Sequence, residues 1–464
     1  MGDLRDHEDT LGKALRVVGA HTPFVEAVAQ RADGLQLRVD RTGNTVTVNP
    51  VLSGAAIRAW GGDRWLEVAA SRLDPPTLDR AATALIAQLE RRPKGPAAPG
   101  TPTTARLEAI HPPAHSMNEL TIEDRIGLAN DYRGWAAGVE GISDTNVILA
   151  SGEDERLYLN SVGAYRYQVV SRAVAVVVPI AMENGRVDWE SHRRGGVAGQ
   201  EILKKLNEET IRTAAKSAVA LLRSKTPPGG AMNVVLDPST AGTLAHESFG
   251  HGTEADQFVR ERSYLQPIFG SEVGPDMLSI VDDGSYPGGW GSIYFDDEGR
   301  PSQRNLLIDR GRFVGVLHDR TSAASLGGAP TGNARRSDFL SRLWVRMTNT
   351  LVVPGTWTKE ELVREAGDGV LLETTTSGIE DPLGGLMQIK VHSGWRIEHG
   401  KTTDLLSSMA LSGRVLDVLR SVKGVGRADD LEVGVGFCGK GHSDYIPAGT
   451  GGPYLLTHAV VGPA

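Results

Sequence analysis

The stretch His246-Glu247-Ser248-Phe249-Gly250-His251 sets two imidazoles five residues apart, with a carboxylate beside the first. The chain's only cysteine, Cys438, stands far downstream. Two imidazoles and a thiolate are three good ligands for a zinc-class ion. The glutamate is where a hydrolytic zinc site keeps its general base. The spacing also constrains the backbone. On a regular helix, five steps of about 100° leave two side chains about 140° apart. They share one ion only if the helix widens or stops between them. A one-residue π-bulge does this, and so does a break at Gly250, since glycine tolerates backbone angles that other residues avoid. The spacing therefore predicts a distorted helix end at Gly250-His251-Gly252. Alone, the hexapeptide stays ambiguous: with 12 histidines and 57 acidic residues, capping or solvated histidines would read the same way.

Composition bounds the classes of function. At 464 residues the chain exceeds one ordinary core, so two domains are expected. Hydrophobic residues at 40% and charged residues at 23% fit a soluble globular protein. A formal charge of −8 gives no basic footprint for nucleic acid. The start, Met1-Gly2-Asp3-Leu4-Arg5-Asp6, carries no apolar segment of a secretory signal. The best uncharged apolar run, Ala173 to Ala181, is too short to cross a bilayer. One cysteine excludes an intrachain disulfide and leaves Cys438 as a buried thiol or a ligand. The expectation is a cytoplasmic protein that binds neither nucleic acid nor membrane.

Periodicity gives a coarse organisation. Residues 8–33 read as a helix through Leu11, Leu15, Val18 and the Phe24-Val25-Val28 group. Alternation at Leu35-Leu37-Val39 and Thr45-Thr47 predicts strands around a turn at 41–44, with another strand near 64–69. Asp74-Pro75-Pro76 opens a helix running through Leu89. Residues 93–102, rich in Pro and Gly, read as a linker or a surface loop. A helix is expected over 119–137, then strands over 146–151, 156–161 and 165–180, then one helix from Gln200 to Ser224. Thr226-Pro227-Pro228-Gly229-Gly230 ends it, which places the boundary between an N-terminal domain, 1–230, and a C-terminal domain, 231–464. Val234-Val235-Leu236 reads as a buried strand, and Asp237-Pro238-Ser239-Thr240 caps the helix carrying His246. Beyond 279 the signals are strands and Gly turns. The fold class is α+β: a mixed helix/sheet domain, then a curved, largely antiparallel sheet with the metal-site helix near the junction.

Several ordered blocks surround the hexapeptide. Glu254-Ala255-Asp256 follows it, then Val281-Asp282-Asp283-Gly284, Asp296-Asp297-Glu298-Gly299 and Pro330-Thr331-Gly332-Asn333-Ala334-Arg335-Arg336. Arg346-Met347-Thr348-Asn349-Thr350 and Gly434-Val435-Gly436-Phe437-Cys438-Gly439-Lys440 complete the series. Over roughly 230–445 this closely resembles the TldD/PmbA family of metallopeptidases, in its TldD-like branch, whose HExxxH motif is held to bind the metal. The resemblance implies His246, His251 and Cys438 as metal ligands and Glu247 as general base. It also implies an extended peptide substrate recognised by its backbone, and a metal-free TldE/PmbA-like partner subunit in a heterodimer; a homodimer is the alternative. Mixed N/S ligation favours zinc, while iron or cobalt would also suit.

Weaker candidates sit beside these. Glu254 and Asp256 could accept from the far nitrogen of a ligating imidazole, or be solvated carboxylates. Asn333, Arg335 and Arg336 could hold a substrate carboxylate or backbone carbonyls, or order their loop through a buried ion pair. His318-Asp319 reads as structural, because neighbours on a strand face opposite ways. Two other readings of the chain stay open. It could be a non-catalytic partner subunit, or the metal could be structural, with His442 as a fourth ligand.

Overall fold

The computed structural model describes residues 3–92, 95–100, 104–110, 115–116, 119–441 and 444–464. Two long hairpins dominate the first sheet, Val25–Asp40 with Gly43–Trp60 and Ile142–Asn160 with Tyr165–Glu183. The sheet runs Trp65–Ala70, Gly43–Trp60, Val25–Asp40, Ile142–Asn160, Tyr165–Glu183, Arg106–Ile110, with only the last pair parallel along that path. Arg186–Trp189 and His192–Val197 add to Tyr165–Glu183. Helices Glu8–Gly19 and Pro75–Leu89 bury Leu11, Leu15, Leu78 and Leu85 against Ala27, Ile57 and Leu157. Helices Ile122–Ala137 and Glu208–Leu221 cover a second patch around Leu37, Leu149 and Val177.

Two helical expectations need correction. The helix read over 8–33 ends at Gly19, and the chain is extended from Val25. Val25, Ala27 and Ala29 face the helices, while Val28 packs with Tyr158 and Phe295 on the other side. Burial on both faces erases the period-2 signal, and the apolar run then mimics a helix. The helix read from Gln200 to Ser224 is a short 3₁₀ turn, Gln200–Lys204, followed by the α-helix Glu208–Leu221. Asn207 caps the amide of Thr210 and Thr210 answers it, and this local capping box outcompetes a continuous helix. Part of the 93–102 segment read as a linker lies outside the described residues.

The later residues form two larger sheets. In one, Gly230–Leu236 pairs parallel with Gly369–Asp381 and antiparallel with Leu455–Pro463. Met409–Arg414 and Leu386–Glu398 continue it antiparallel, and Leu386–Glu398 pairs again with Gly369–Asp381, so the sheet curves until it closes. The other sheet runs Arg312–Phe313, Arg304–Asp309, Ile280–Asp283, Asn349–Val352, Asp444–Gly452, Glu432–Lys440, the last at its edge. Helix Pro238–Ala245 is wedged between the two, its Ala241, Leu244 and Ala245 sharing one core with Val234, Ile280, Ile389 and Ile446. A methyl on Gly242 would lie 2.3 Å from the Gly451 nitrogen, so glycine lets helix and strand touch. Among the described residues, no helix is long and apolar enough to cross a membrane.

Candidate metal centre

The helix carrying the histidines starts as its sequence requires. Asp237 accepts the amide of Thr240 at 2.8 Å and Pro238 occupies the first turn. After Ala245 the backbone widens into a π turn over His246–Gly250, in which the His251 amide bonds the His246 carbonyl. A 3₁₀ turn over His251–Thr253 then ends the element. The widened turn brings the two imidazoles edge to face with centroids 5.1 Å apart, where a regular helix would splay them. Gly250 is right-handed helical, at φ −74°, so its role is not the backbone freedom expected of it. A methyl there would meet the Met347 sulfur at 2.1 Å; the glycine makes room for a neighbour.

Cys438 reaches the same point from the edge strand Glu432–Lys440. Its Sγ lies 3.3 Å from His251 Nε2, and one ligand atom from each of His246, His251 and Cys438 falls within 4.8 Å of the others. The three fit a zinc-class ion: ligands about 2.0–2.1 Å (N) and 2.3 Å (S) from one tetrahedral ion stand about 3.5 Å apart. The side chains are buried or nearly so, and Nδ1 of His246 is an enclosed ring nitrogen with no hydrogen-bond partner among the described residues. His442 lies outside the described residues.

Electrostatics hold Cys438 in its ligating thiolate form, while His251 gives up a proton when a metal binds. Burial alone would raise the Cys438 thiol, but the His251 and His246 imidazoles pull it well below the ordinary thiol range. Burial would lower His251, but the Cys438 thiolate and Glu254 raise it well above the usual imidazole value. The metal-free chain is thus expected to hold an imidazolium–thiolate pair at neutral pH. Its ultraviolet thiolate absorbance should persist far below the ordinary thiol value of 9.0 and fade only towards acid. In His251→Ala the absorbance should appear only at higher pH. A wild-type titration at the ordinary thiol value would refute this charge state.

Glu254 lies behind His251, with Oε2 3.6 Å from Nδ1. That is an ion-pair distance, longer than a hydrogen bond. Burial raises Glu254, but Lys440, His251 and Arg346 bring it down to about 2. Lys440 donates to Glu254 at 2.9 Å, to Asp256 at 2.8 Å and to the Val345 carbonyl at 3.0 Å. Asp256 therefore acts on the lysine and not on the imidazole. Arg346 donates to the Cys438 carbonyl at 2.5 Å, tying the third ligand's backbone to the same frame. Lys440 and Arg346 went unassigned in the sequence. The available signal was that Lys440 follows Cys438 by two and so shares its strand face.

The Glu247 carboxylate has no hydrogen-bond partner among the described residues and packs on Gly378 of strand Gly369–Asp381, where a methyl would meet Oε1 at 2.5 Å. Glu380, two residues on, shares that face and also went unassigned. Burial, with Glu247 and Glu254 adding to it against His251, pushes its carboxyl up to about 8. Asn333, Arg335 and Arg336 do not join this cluster. Asn333 donates to Asp282 and the Arg346 carbonyl, Arg335 to the carbonyls of Met347 and Pro447, and Arg336 to Glu67 at 2.8 Å. His318 is buried and its ring faces Ser322.

The PmbA/TldA metallopeptidase C-terminal domain matches residues 229–461, and the central domain of the same family matches 116–222. A metalloprotease of Methanothermobacter thermautotrophicus is 33% identical over 70% of this chain and 71% of its own length. A zinc metalloprotease TldD homolog of Saccharolobus solfataricus is 28% identical over 53% of this chain and 55% of its own. Among solved structures, a proposed DNA gyrase modulator of Thermotoga maritima superposes with a TM-score of 0.79 at 20% identity, over 99% of this chain and 100% of that one. TldE of Thermococcus kodakarensis gives 0.78 at 15%, over 98% and 100%. These two share the fold. The chain belongs to the PmbA/TldD metallopeptidase family.

Proposed function

We propose that the chain is a zinc-dependent peptidase that cleaves small or unfolded peptides, with Glu247 as its general base. The observation that carries this reading is the convergence of His246, His251 and Cys438 beside Glu247, whose carboxylate has no hydrogen-bond partner among the described residues. Two imidazoles and a thiolate favour zinc over magnesium or calcium, and three protein ligands leave a coordination position open. Zinc held there would supply Lewis acidity at the scissile carbonyl. Glu247 accepts the proton of the attacking water and returns it to the leaving amine, work worth about 10²–10⁴-fold. Glu254, held by Lys440 and Arg346, fixes the His251 ring.

The substrate is an extended peptide. Glu432–Lys440 is the edge strand of its sheet and carries the thiolate ligand two residues before its end, so a strand added along it would carry its backbone past the metal. Phe437, 64% exposed on that strand, offers an apolar side chain to such a guest. The chain works with a TldE/PmbA-like partner subunit, or as a homodimer. The test is hydrolysis of a quenched fluorescent peptide by the zinc-loaded chain, alone and with a TldE-like partner. Activity should vanish with a chelator and return with zinc. Chelator-resistant cleavage, or none in either format, would reject the reading.

A further inference from the structure

We infer a second ligand site: one halide-sized monovalent anion, chloride by chemistry, bound among Arg172, Arg335 and Arg336 in the seam between the first sheet and the metal-bearing half. The inference does not rest on the peptidase reading. A cavity of about 40 Å³ lies there, lined by Arg156, Arg172, Arg335 and Arg336 and by the carboxylates Asp154 and Asp297. Its remaining walls include Val170, Phe295 and Ile446, so solvent screening is weak.

The charges do not balance. Arg156 takes both carboxylates, Asp154 at 2.9 Å and Asp297 at 2.5 Å. Arg336 pairs with Glu67 from outside the cavity at 2.8 Å. Arg172 gives Nε and Nη2 to the carbonyls of Trp290 and Ser292, at 2.7 and 2.9 Å. Arg335 likewise serves the carbonyls of Met347 and Pro447, at 2.5 and 3.0 Å. Carbonyls satisfy the hydrogen bonds but bring no countercharge. Asp282 offsets part of the Arg335 charge through its field, but accepts its hydrogen bonds from Asn333, Thr348 and Thr350 and none from Arg335. Burial depresses both guanidiniums, Arg172 to about 10 and Arg335 to about 9, the latter with its neighbouring arginines adding to the effect. Both nevertheless stay charged at neutral pH.

A second observation is independent of charge. Nε of Arg336 and Oγ of Ser337 are buried without a hydrogen-bond partner among the described residues, and both residues line the cavity. Buried donors without acceptors are rare, and buried cations without anions rarer. One small anion answers all of these deficits. A cavity holds a water once about 10–15 Å³ of it is open to a water-sized sphere, so this one has room for a halide. The site also reaches the metal centre. Arg335 holds the carbonyl of Met347, whose sulfur fills the notch at Gly250, and that of Pro447, opposite Phe437 beside Cys438.

The test uses the full metal-loaded chain. Thermal melting is followed in sodium chloride and in sodium gluconate at equal ionic strength, and crystals grown in bromide are examined by anomalous scattering. The expected result is a saturable rise in Tm with chloride only, and a bromide peak beside Arg172, Arg336 Nε and Ser337 Oγ. Ser337→Ala should raise the half-saturating chloride concentration about tenfold, as expected for one hydrogen bond to an ion. Arg172→Met, which removes one of the two guanidiniums lacking a carboxylate, should abolish the chloride response. If that variant does not fold, Ser337→Ala and the bromide peak decide. A water in place of bromide with equal melting in both salts overturns the proposal. So does a bromide peak without any chloride-specific response, which would mark an adventitious ion only.

Discussion

Glu247→Gln is expected to keep its metal and lose peptide hydrolysis by about 10²–10⁴-fold, the range of a lost general base, whereas Cys438→Ala should lose both. The glutamine preserves the shape of a side chain fitted over Gly378 and removes only the proton acceptor. It touches none of the three atoms that converge on the ion. The alanine removes one of those atoms. Losing even a group behind a ligand typically costs 10–100-fold in metal affinity, so at least about 100-fold is expected for the ligand itself. Its backbone should stay in place, because Arg346 grips the Cys438 carbonyl and not its side chain. Metal stoichiometry of the purified variants, beside kcat/KM on one peptide, separates the two. Cys438→Ala with wild-type metal would break the three-ligand assignment, and Glu247→Gln with wild-type rate would remove the base.

Both variants rest on residues legible in the sequence, and the reason is local. Asp237 announces the helix start, and the five-residue spacing of His246 and His251 requires a widened or broken helix, of which the backbone adopts the π turn. The turn at Arg41-Thr42 and the Gly turn at His399-Gly400 follow from patterns a few residues long. What the sequence hid depends on partners far along the chain. Phe24 to Val28 read as helix because a segment near Phe295 buries their outer face. Gly250 is glycine because of Met347, and Gly242 because of Gly451. Glu380 reaches the site only because Gly369–Asp381 folds back over the helix. Glu254 and Asp256 were legible as a pair, yet the lysine that tells their roles apart arrives 186 and 184 positions later.

The same long-range logic governs the seam between the first sheet and the metal-bearing half, where four ionised side chains are buried together. Glu26 accepts Arg58 at 2.8 Å, the Tyr158 hydroxyl at 2.7 Å and an amino group of Arg320. Glu298 accepts Arg58 at 2.6 Å and the Arg320 amide at 2.7 Å. The set exposes almost nothing: side-chain exposures are 2% for Glu26, 7% for Arg58, 0% for Glu298 and 1% for Arg320. Replacing such a network whole by apolar groups is often nearly neutral, but removing one partner leaves buried charge uncompensated. Glu298→Ala is therefore expected to lower the unfolding free energy by about 3–5 kcal/mol, read by urea denaturation of the metal-loaded protein. Glu298→Ala with Arg320→Met should recover a good part of that loss, since one orphaned cation goes with its partner. The sign with pH follows from Glu26. Burial raises it, but Arg320 and Arg58 hold it below its ordinary value of 4.5. Its stabilisation is thus complete above about pH 5 and fades as acid approaches the depressed value. A loss under about 1 kcal/mol in Glu298→Ala, or a double variant worse than the single, would mean that the network does not bind the seam.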